Sequence, residues 1–328
     1  MNKLTVTTPF ISHHPGDDYL FSLISDQSDH FYEVVMDKYV RHRYSYSSAR
    51  DYFSLKFHDE QNWSAFKSLE YFFMPRRLVE KNSDGLIQLV EELIDVGYLV
   101  FTYYNQFYVD INANYLTNHY PHELMLFGYD EDLFFVKEFL GGYRELVVKK
   151  IDFQKSIEKY DKTRYPRYDI GITGIRKKDN YKYSVNINSV LREHAALLSD
   201  KFAIDKDCDG IGIFDFELLL FDKDVSMCKD ADRLNSLRLF FSYMKNSLKL
   251  LNARINFLDE VSGKPNDILL RECKNITDRF SIYYGRVMKK RMKEIFKIDE
   301  FKEVIEKEKE AYRVLVERFI ENTALIKI

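Results

Sequence analysis

The residues best placed to do chemistry are His122 and Glu138. They sit near the two ends of PHELMLFGYDEDLFFVKEFLGGY (121–143), which reads as a β-hairpin. Leu124, Leu126 and Phe127 are apolar, Leu133 to Val136 is a short apolar run, and Gly-Tyr-Asp-Glu-Asp between them is a turn signal. His122 opens the first strand, Glu138 lies near the end of the second, and Gly141-Gly142 closes it. Side chains alternate along a strand. A three-residue connection therefore puts His122 and Glu138 on one face, and a two-residue connection puts them on opposite faces. A His–carboxylate pair is the base of a nucleophilic triad together with the group that orients it. The plainer reading is a hairpin with one polar residue at each end, near solvent.

Other candidates are weaker. His13, His14 and Asp17 have donor atoms for a metal, but neighbouring histidines on a turn-rich loop are expected to be solvated. Arg41-His42-Arg43-Tyr44 is a small basic cluster, expected as a solvated face, with an anionic carrier or phosphate as the other reading. DKDCDGIG (205–212) opens like a calcium loop, with Gly210 at the sixth place. Phe216 stands where the bidentate Glu belongs and Glu217 comes one residue late, so a plain turn is expected. Cys208, Cys228 and Cys273 are widely spaced with no CxxC pair, which indicates neither a zinc site nor a disulfide framework. Cys273 falls on an apolar helical seam and reads as a packed thiol. No phosphate-cradling or dinucleotide glycine motif is found, so no cofactor and no metal is expected.

The elements that must position the pair follow from periodicity. Tyr19 to Ile24 begins a short helix with Asp17 or Asp18 as its cap. Tyr52–Phe57 and Leu69–Met74 read as strands. Leu86, Leu89, Val90, Leu93 and Ile94 form one face of a helix that Asn82 or Ser83 starts and Gly97 ends. Tyr98–Tyr104 is an aromatic strand, central in a sheet, and Phe107–Asp110 a shorter one. Arg144–Lys150 continues the sheet, Asp152 caps a short helix, Asp161–Arg167 is a boundary and Tyr168–Ile175 a further strand. From Asn186 the pattern turns helical. Leu234 to Leu258, Leu269 to Val287 and Phe301 to Phe319 repeat apolar residues at steps of three and four. Gly263-Lys264-Pro265 breaks the run, which favours an antiparallel bundle within the chain over a dimeric coiled coil. The helices are read as covering a cleft or supplying a homodimer contact. The expectation is an α+β fold, with residues 1–180 as one domain and residues 181–328 as a helical domain.

The totals bound the rest. The chain has 328 residues, 45% hydrophobic and 31% charged, a globular composition and not a disordered one. The net charge of −3 gives no support for a broad nucleic-acid or membrane surface. No charged-then-apolar leader and no long apolar run is seen, so a reducing cytoplasm is expected.

With the hairpin and helical tail placed, the sequence resembles the butirosin biosynthesis protein H N-terminal-like family, papain-fold proteins of bacterial natural-product gene clusters. The resemblance lies in His122, Gly128-Tyr129-Asp130, Phe134-Phe135-Val136, Glu138 and Gly142-Tyr143, in FYVDINANYLTNHYPHE before the hairpin, and in the long helix DADRLNSLRLFFSYMKNSLKLLNARINFL after it. It covers most of the chain from about residue 84. It implies a papain-like, mostly antiparallel sheet with a nucleophile at the start of an N-terminal helix. It also implies acyl or aminoacyl transfer from a carrier-protein thioester to an amine, or amide cleavage. Where the family expects a cysteine before the histidine, this chain has none. Ser12, Ser22, Ser25, Ser45, Ser47 and Ser48 are the hydroxyls available. Two functions remain: an acyltransfer enzyme with His122 as base and Glu138 as orienter, or an inactive relative that binds a carrier domain or a biosynthetic enzyme.

Overall fold

The computed structural model describes residues 1–12, 14–25, 27–47, 52–57, 63–139, 143–160, 171–198, 207–219, 230–293 and 299–326. His13, Ser48, Gly141-Gly142, Asp161–Arg167 and Cys228 lie outside the described residues. In chain order the elements are β1 (Asn2–Lys3), α1 (Pro15–Ile24), α2 (Asp29–Asp37), β2 (His42–Ser47), β3 (Tyr52–Phe57), β4 (Leu69–Met74), α3 (Arg76–Lys81), α4 (Leu86–Asp95), β5 (Leu99–Asn105), β6 (Pro121–Tyr129), β7 (Leu133–Phe139), β8 (Tyr143–Lys149), α5 (Lys150–Glu158), β9 (Ile172–Lys177), α6 (Ile187–Leu197), β10 (Asp207–Asp209), α7 (Ile213–Leu219), α8 (Asp230–Ser262), α9 (Asp267–Lys293) and α10 (Asp299–Ala324). The class is α+β. The chain divides into two units: Met1–Phe31 with Gln61–Lys182, and Tyr32–Glu60 with Tyr183–Ile328.

The first unit is built on an antiparallel sheet with strand order β4-β9-β5-β6-β7-β8, to which β1 adds by pairing with β6. β5 is buried along its whole length, as its aromatic and β-branched run predicts for a central strand. Leu86, Val90 and Ile94 are the buried face of α4, and Gly97 ends that helix at φ +90°, where a side chain would be strained. Gly174 pairs with Phe72; a Cβ there would lie 1.9 Å from the Phe72 ring, so only glycine leaves the ring its place.

Alternation gives the sheet two faces. Val100, Tyr104, Leu124, Leu126, Phe134, Val136 and Val148 share one, and pack with Val90 and Ile94 of α4 and Phe153 and Ile157 of α5. Phe101, Tyr103, Met125 and Lys137 occupy the other. There Phe101 meets Tyr19 of α1 at 5.6 Å and Trp63 at 5.2 Å between ring centres.

Three local expectations are corrected. Phe107–Asp110 is no strand: Gln106–Tyr108 is a 3-10 turn, because the Asn105 side chain accepts from Phe107 N at 3.2 Å and draws the chain into a turn. α1 is capped by His14, not by Asp17 or Asp18, since Pro15 takes the first helical position. Asp152 lies inside the first turn of α5, and Lys149 holds the cap position.

The second unit holds a three-stranded sheet, β10-β2-β3, and the helices α6 to α10. The seam residues Leu237, Phe241, Met244, Leu248 and Ile255 of α8, Cys273 and Phe280 of α9, and Ile305, Tyr312 and Phe319 of α10 are buried. The basic cluster at 41–44 is not a solvated face. It begins β2, and alternation sends His42 and Tyr44 into the core while Arg43 stays partly exposed. The part of DKDCDGIG from Asp207 onward is a short strand and a turn at Gly210.

Candidate active site

Whether His122 and Glu138 meet depends on one residue of the hairpin. Near the turn Tyr129 pairs with Phe134 and Gly128 with Phe135; further along, Leu126 pairs with Val136 and Met125 with Lys137. Phe127 is the extra residue of a β-bulge. The register at the turn, carried unbroken down the hairpin, would leave His122 and Glu138 on opposite faces. The bulge returns them to one face. The turn itself is held by Asp130, whose Oδ1 accepts from Asp132 N at 3.2 Å and Leu133 N at 3.0 Å.

On that shared face His122 stands opposite Tyr104 of β5. Its Nδ1 lies 3.2 Å from Glu138 Oε1, 3.2 Å from the Glu123 carbonyl oxygen and 3.8 Å from Glu123 Oε2. All three are acceptors. The proton therefore belongs on Nδ1, and Nε2 keeps a lone pair. Among the described residues nothing hydrogen-bonds Nε2. The imidazole side chain keeps 20% of its exposure, whereas Glu138 keeps 0%.

Glu138 is braced from the strand and loop beside it. Its Oε1 accepts from the Tyr104 hydroxyl and from Gln106 Nε2 at 3.0 Å. Gln106 Oε1 in turn accepts from Asn114 Nδ2 at 2.5 Å, and Asn112 Nδ2 donates to the Tyr104 hydroxyl at 3.3 Å. Tyr103 donates to Glu123 Oε1 at 2.8 Å. Burial, with the Glu138 charge and hydrogen bond, pushes the Tyr104 hydroxyl well above its usual pKa, so it remains a donor. Sequence reasoning missed Tyr104, Gln106, Asn112, Asn114 and Glu123. The signal was the cluster of amides in NQFYVDINAN just after an aromatic strand.

Burial opposes protonation of His122, but the hydrogen bond to Glu138 and the charges of Glu123 and Glu138 outweigh it and raise the imidazole pKa. Glu138→Gln is expected to bring that pKa down, read by NMR titration of the ring protons. A raised imidazole pKa contributes stability that is complete below the unfolded value near 6.5 and is lost as pH rises through the folded value. The variant should therefore lose stability at pH 5 relative to pH 9. An unchanged titration would show that the carboxylate does not govern the ring.

Within the first unit, the candidate serines bond elsewhere and not to this pair. Ser12 Oγ donates to Asp18 Oδ2 at 3.2 Å, Ser22 Oγ to Tyr19 O at 2.8 Å, and Ser25 Oγ to Phe21 O. Ser45 and Ser47 belong to β2, in the second unit. Cys273 is also in the second unit, where burial pushes its thiol up to about 12. The first turn of α1, where a papain-like layout would place its nucleophile, holds Asp17 and Asp18, both buried. Through Tyr19 this helix packs on the sheet face opposite to the one that carries His122. Among the described residues no group of three or more His, Cys, Asp or Glu side chains could hold a metal, and no helix is long and apolar enough to cross a membrane.

No protein-family model matches the sequence, and no curated protein matches it. The geometry alone carries the chemistry: a buried carboxylate fixes a histidine by one ring nitrogen and leaves the other able to take a proton.

Proposed function

We propose that the first unit is a variant of the papain-like fold whose His122–Glu138 pair is a general base for acyl or aminoacyl transfer. The substrate would be a thioester on a carrier protein, the acceptor an amine, and the setting bacterial natural-product biosynthesis. The setting and substrate class rest on the resemblance of the hairpin. The chemistry rests on one observation, the Nδ1–Oε1 contact of 3.2 Å that leaves Nε2 free among the described residues.

In this reading the base acts on the incoming nucleophile itself, through the Nε2 that Glu138 and Glu123 leave unengaged among the described residues. The amine nitrogen attacks the thioester carbonyl, its proton passes to Nε2, and the carbon–sulfur bond breaks. The thiolate leaves with that proton, giving an amide and a free carrier thiol. Glu138 holds the tautomer and stabilises the imidazolium formed on the way. Tyr104 and Gln106 hold Glu138.

Acyl thioesters of N-acetylcysteamine with an added amine test this, with thiol release followed by a disulfide reagent. His122→Ala should lower the rate by about 10²–10⁴-fold, the range of a general base, with folding intact by circular dichroism. An equal rate in wild type and variant would remove the base. A second reading, a non-catalytic relative that binds a carrier domain or biosynthetic enzyme, is favoured by the acidic first turn of α1 where a nucleophile is expected. It gains if the wild type releases no thiol above the buffer rate.

A further inference from the structure

The second unit carries a surface that the proposed chemistry does not use. From Leu234 to Leu258 the long helix α8 contains no Asp or Glu, and its charges are Arg238, Lys245, Lys249 and Arg254. Arg254 is consumed inside the unit, donating to Val35 O at 2.7 Å and Tyr39 O at 2.5 Å. The others lie toward solvent. Lys245 and Lys249 are one helical turn apart, a like-charge spacing that costs helix stability.

Beside them runs a groove of about 500 Å³ between α8 and α9, lined by Lys249, Asn252 and Asn256 from one helix and Leu270, Arg271, Lys274 and Thr277 from the other. Among the described residues no carboxylate lines it. Lys245 extends it past Tyr284, with its ammonium 5.4 Å from the ring centre. Lys274 pairs with Asp278 at 2.6 Å, while Arg271 and Lys245 make no ion pair among the described residues. Loss of solvent and the neighbouring Lys245 charge lower the Lys249 pKa, which an approaching anion would reverse.

We propose that the α8–α9 groove docks an acidic helix of a partner protein. The cationic lining argues for an acidic partner, and a helix matches its axial repeat. Lys245 and Lys249 stand about 6 Å apart along α8, and Arg271 and Lys274 about 4.5 Å apart along α9, at 1.5 Å rise per residue. Carboxylates at three- and four-residue steps on one face of a helix repeat at the same intervals. Asn252, Asn256 and Thr277 add side chains that can hydrogen-bond a polar rim. The chain's net charge of −3 argues against a nucleic acid, which would need a broader cationic field. The inference concerns the second unit alone and does not depend on His122.

The test uses the full chain and a fluorescein-labelled, alanine-rich helical peptide with Glu at helical spacing, followed by anisotropy at low salt. Binding is expected, and the double variant Lys245→Glu with Arg271→Glu should weaken it by roughly tenfold or more, as for charge pairs at an interface. Lys302→Glu with Lys307→Glu on α10 makes the same change in net charge and should leave it within about twofold if the groove is the site. Circular dichroism checks that both variants fold. No binding by the wild type, equal loss in the two double variants, or equally tight binding of a single-stranded oligonucleotide would each overturn the proposal.

Discussion

Replacing His42 with alanine is expected to destabilise the second unit by about 3–5 kcal/mol, the sum of a buried hole and two lost buried hydrogen bonds. The imidazole is fully buried. Its Nδ1 lies 2.9 Å from the Tyr243 hydroxyl and its Nε2 3.0 Å from the Tyr312 hydroxyl, and Tyr312 is also 3.2 Å from Ser247 Oγ. A neutral imidazole has one donor and one acceptor, so one tyrosine donates to it and the other accepts. Alanine leaves both hydroxyls without that partner and a void the size of a ring. Glutamine, which keeps a donor and an acceptor, should recover part of the loss. Urea unfolding measures both variants, and a midpoint for the alanine variant near that of the wild type would show that the network carries no stability.

The same residue sets an acid limit. Burial, reinforced by the Arg254 charge, lowers the His42 pKa to about 3, and His194 is lowered to about 3 by the same causes. In the unfolded chain both rings take protons below about 6.5. Between that value and about 3 the unfolded state therefore binds more protons, and stability falls as pH drops. The glutamine variant at 42 should show a shallower fall.

Glu217→Gln is expected to act in the opposite direction, stabilising the second unit only at higher pH. Glu217 is buried on α7, with Ser236 Oγ 3.1 and 3.0 Å from its two oxygens. Burial raises its pKa to about 8, against a smaller lowering by the Ser236 hydrogen bond. The unfolded carboxyl ionises from about 4.5, while the folded one keeps its proton until about 8. Stability is therefore lost as pH rises through that window, and the loss levels off above it. At about 1.4 kcal/mol per unit the cost is on the order of 5 kcal/mol at pH 9. Glutamine matches the protonated carboxyl in shape and can still bond Ser236. The variant and the wild type should unfold together near pH 4 and diverge above pH 6. Parallel curves across that range would place the titration elsewhere.

Much of the architecture was legible because it is periodic. The α4 stripe, the seams of α8 to α10 and the aromatic run of β5 each repeat one spacing over many residues, and burial follows that spacing. What escaped was local or long-range. Phe127 looks like any apolar strand residue, yet as a bulge it decides which face the hairpin presents. Whether a residue pairs or is skipped depends on strands that alternation alone does not identify. His42 sits between two arginines and reads as surface, but its partners Tyr243 and Tyr312 lie far along the chain. Gln106 and Asn114 are ordinary loop amides until the sheet brings Glu138 to them. His122 and Glu138 stood out because a histidine and a carboxylate can together move a proton, and a spacing argument reached them with the turn length left open.

The hairpin β2–β3 has a consequence for how the protein is made. It is translated before most of the first unit, but it belongs to the second, and Tyr44 waits for Cys208 as its neighbour in the sheet. A nascent chain lengthening at about 5–20 residues per second leaves β2 without β10 for roughly ten to thirty seconds. Meanwhile residues 61–182 emerge and can complete the first unit with the leading segment. Ribosomes that stall or terminate between the two units would release a finished sheet with an unfinished ribbon attached, and that edge is open to pairing with another chain. Truncated products should therefore be the ones that aggregate, and holdase chaperones should meet this protein through β2 and β3.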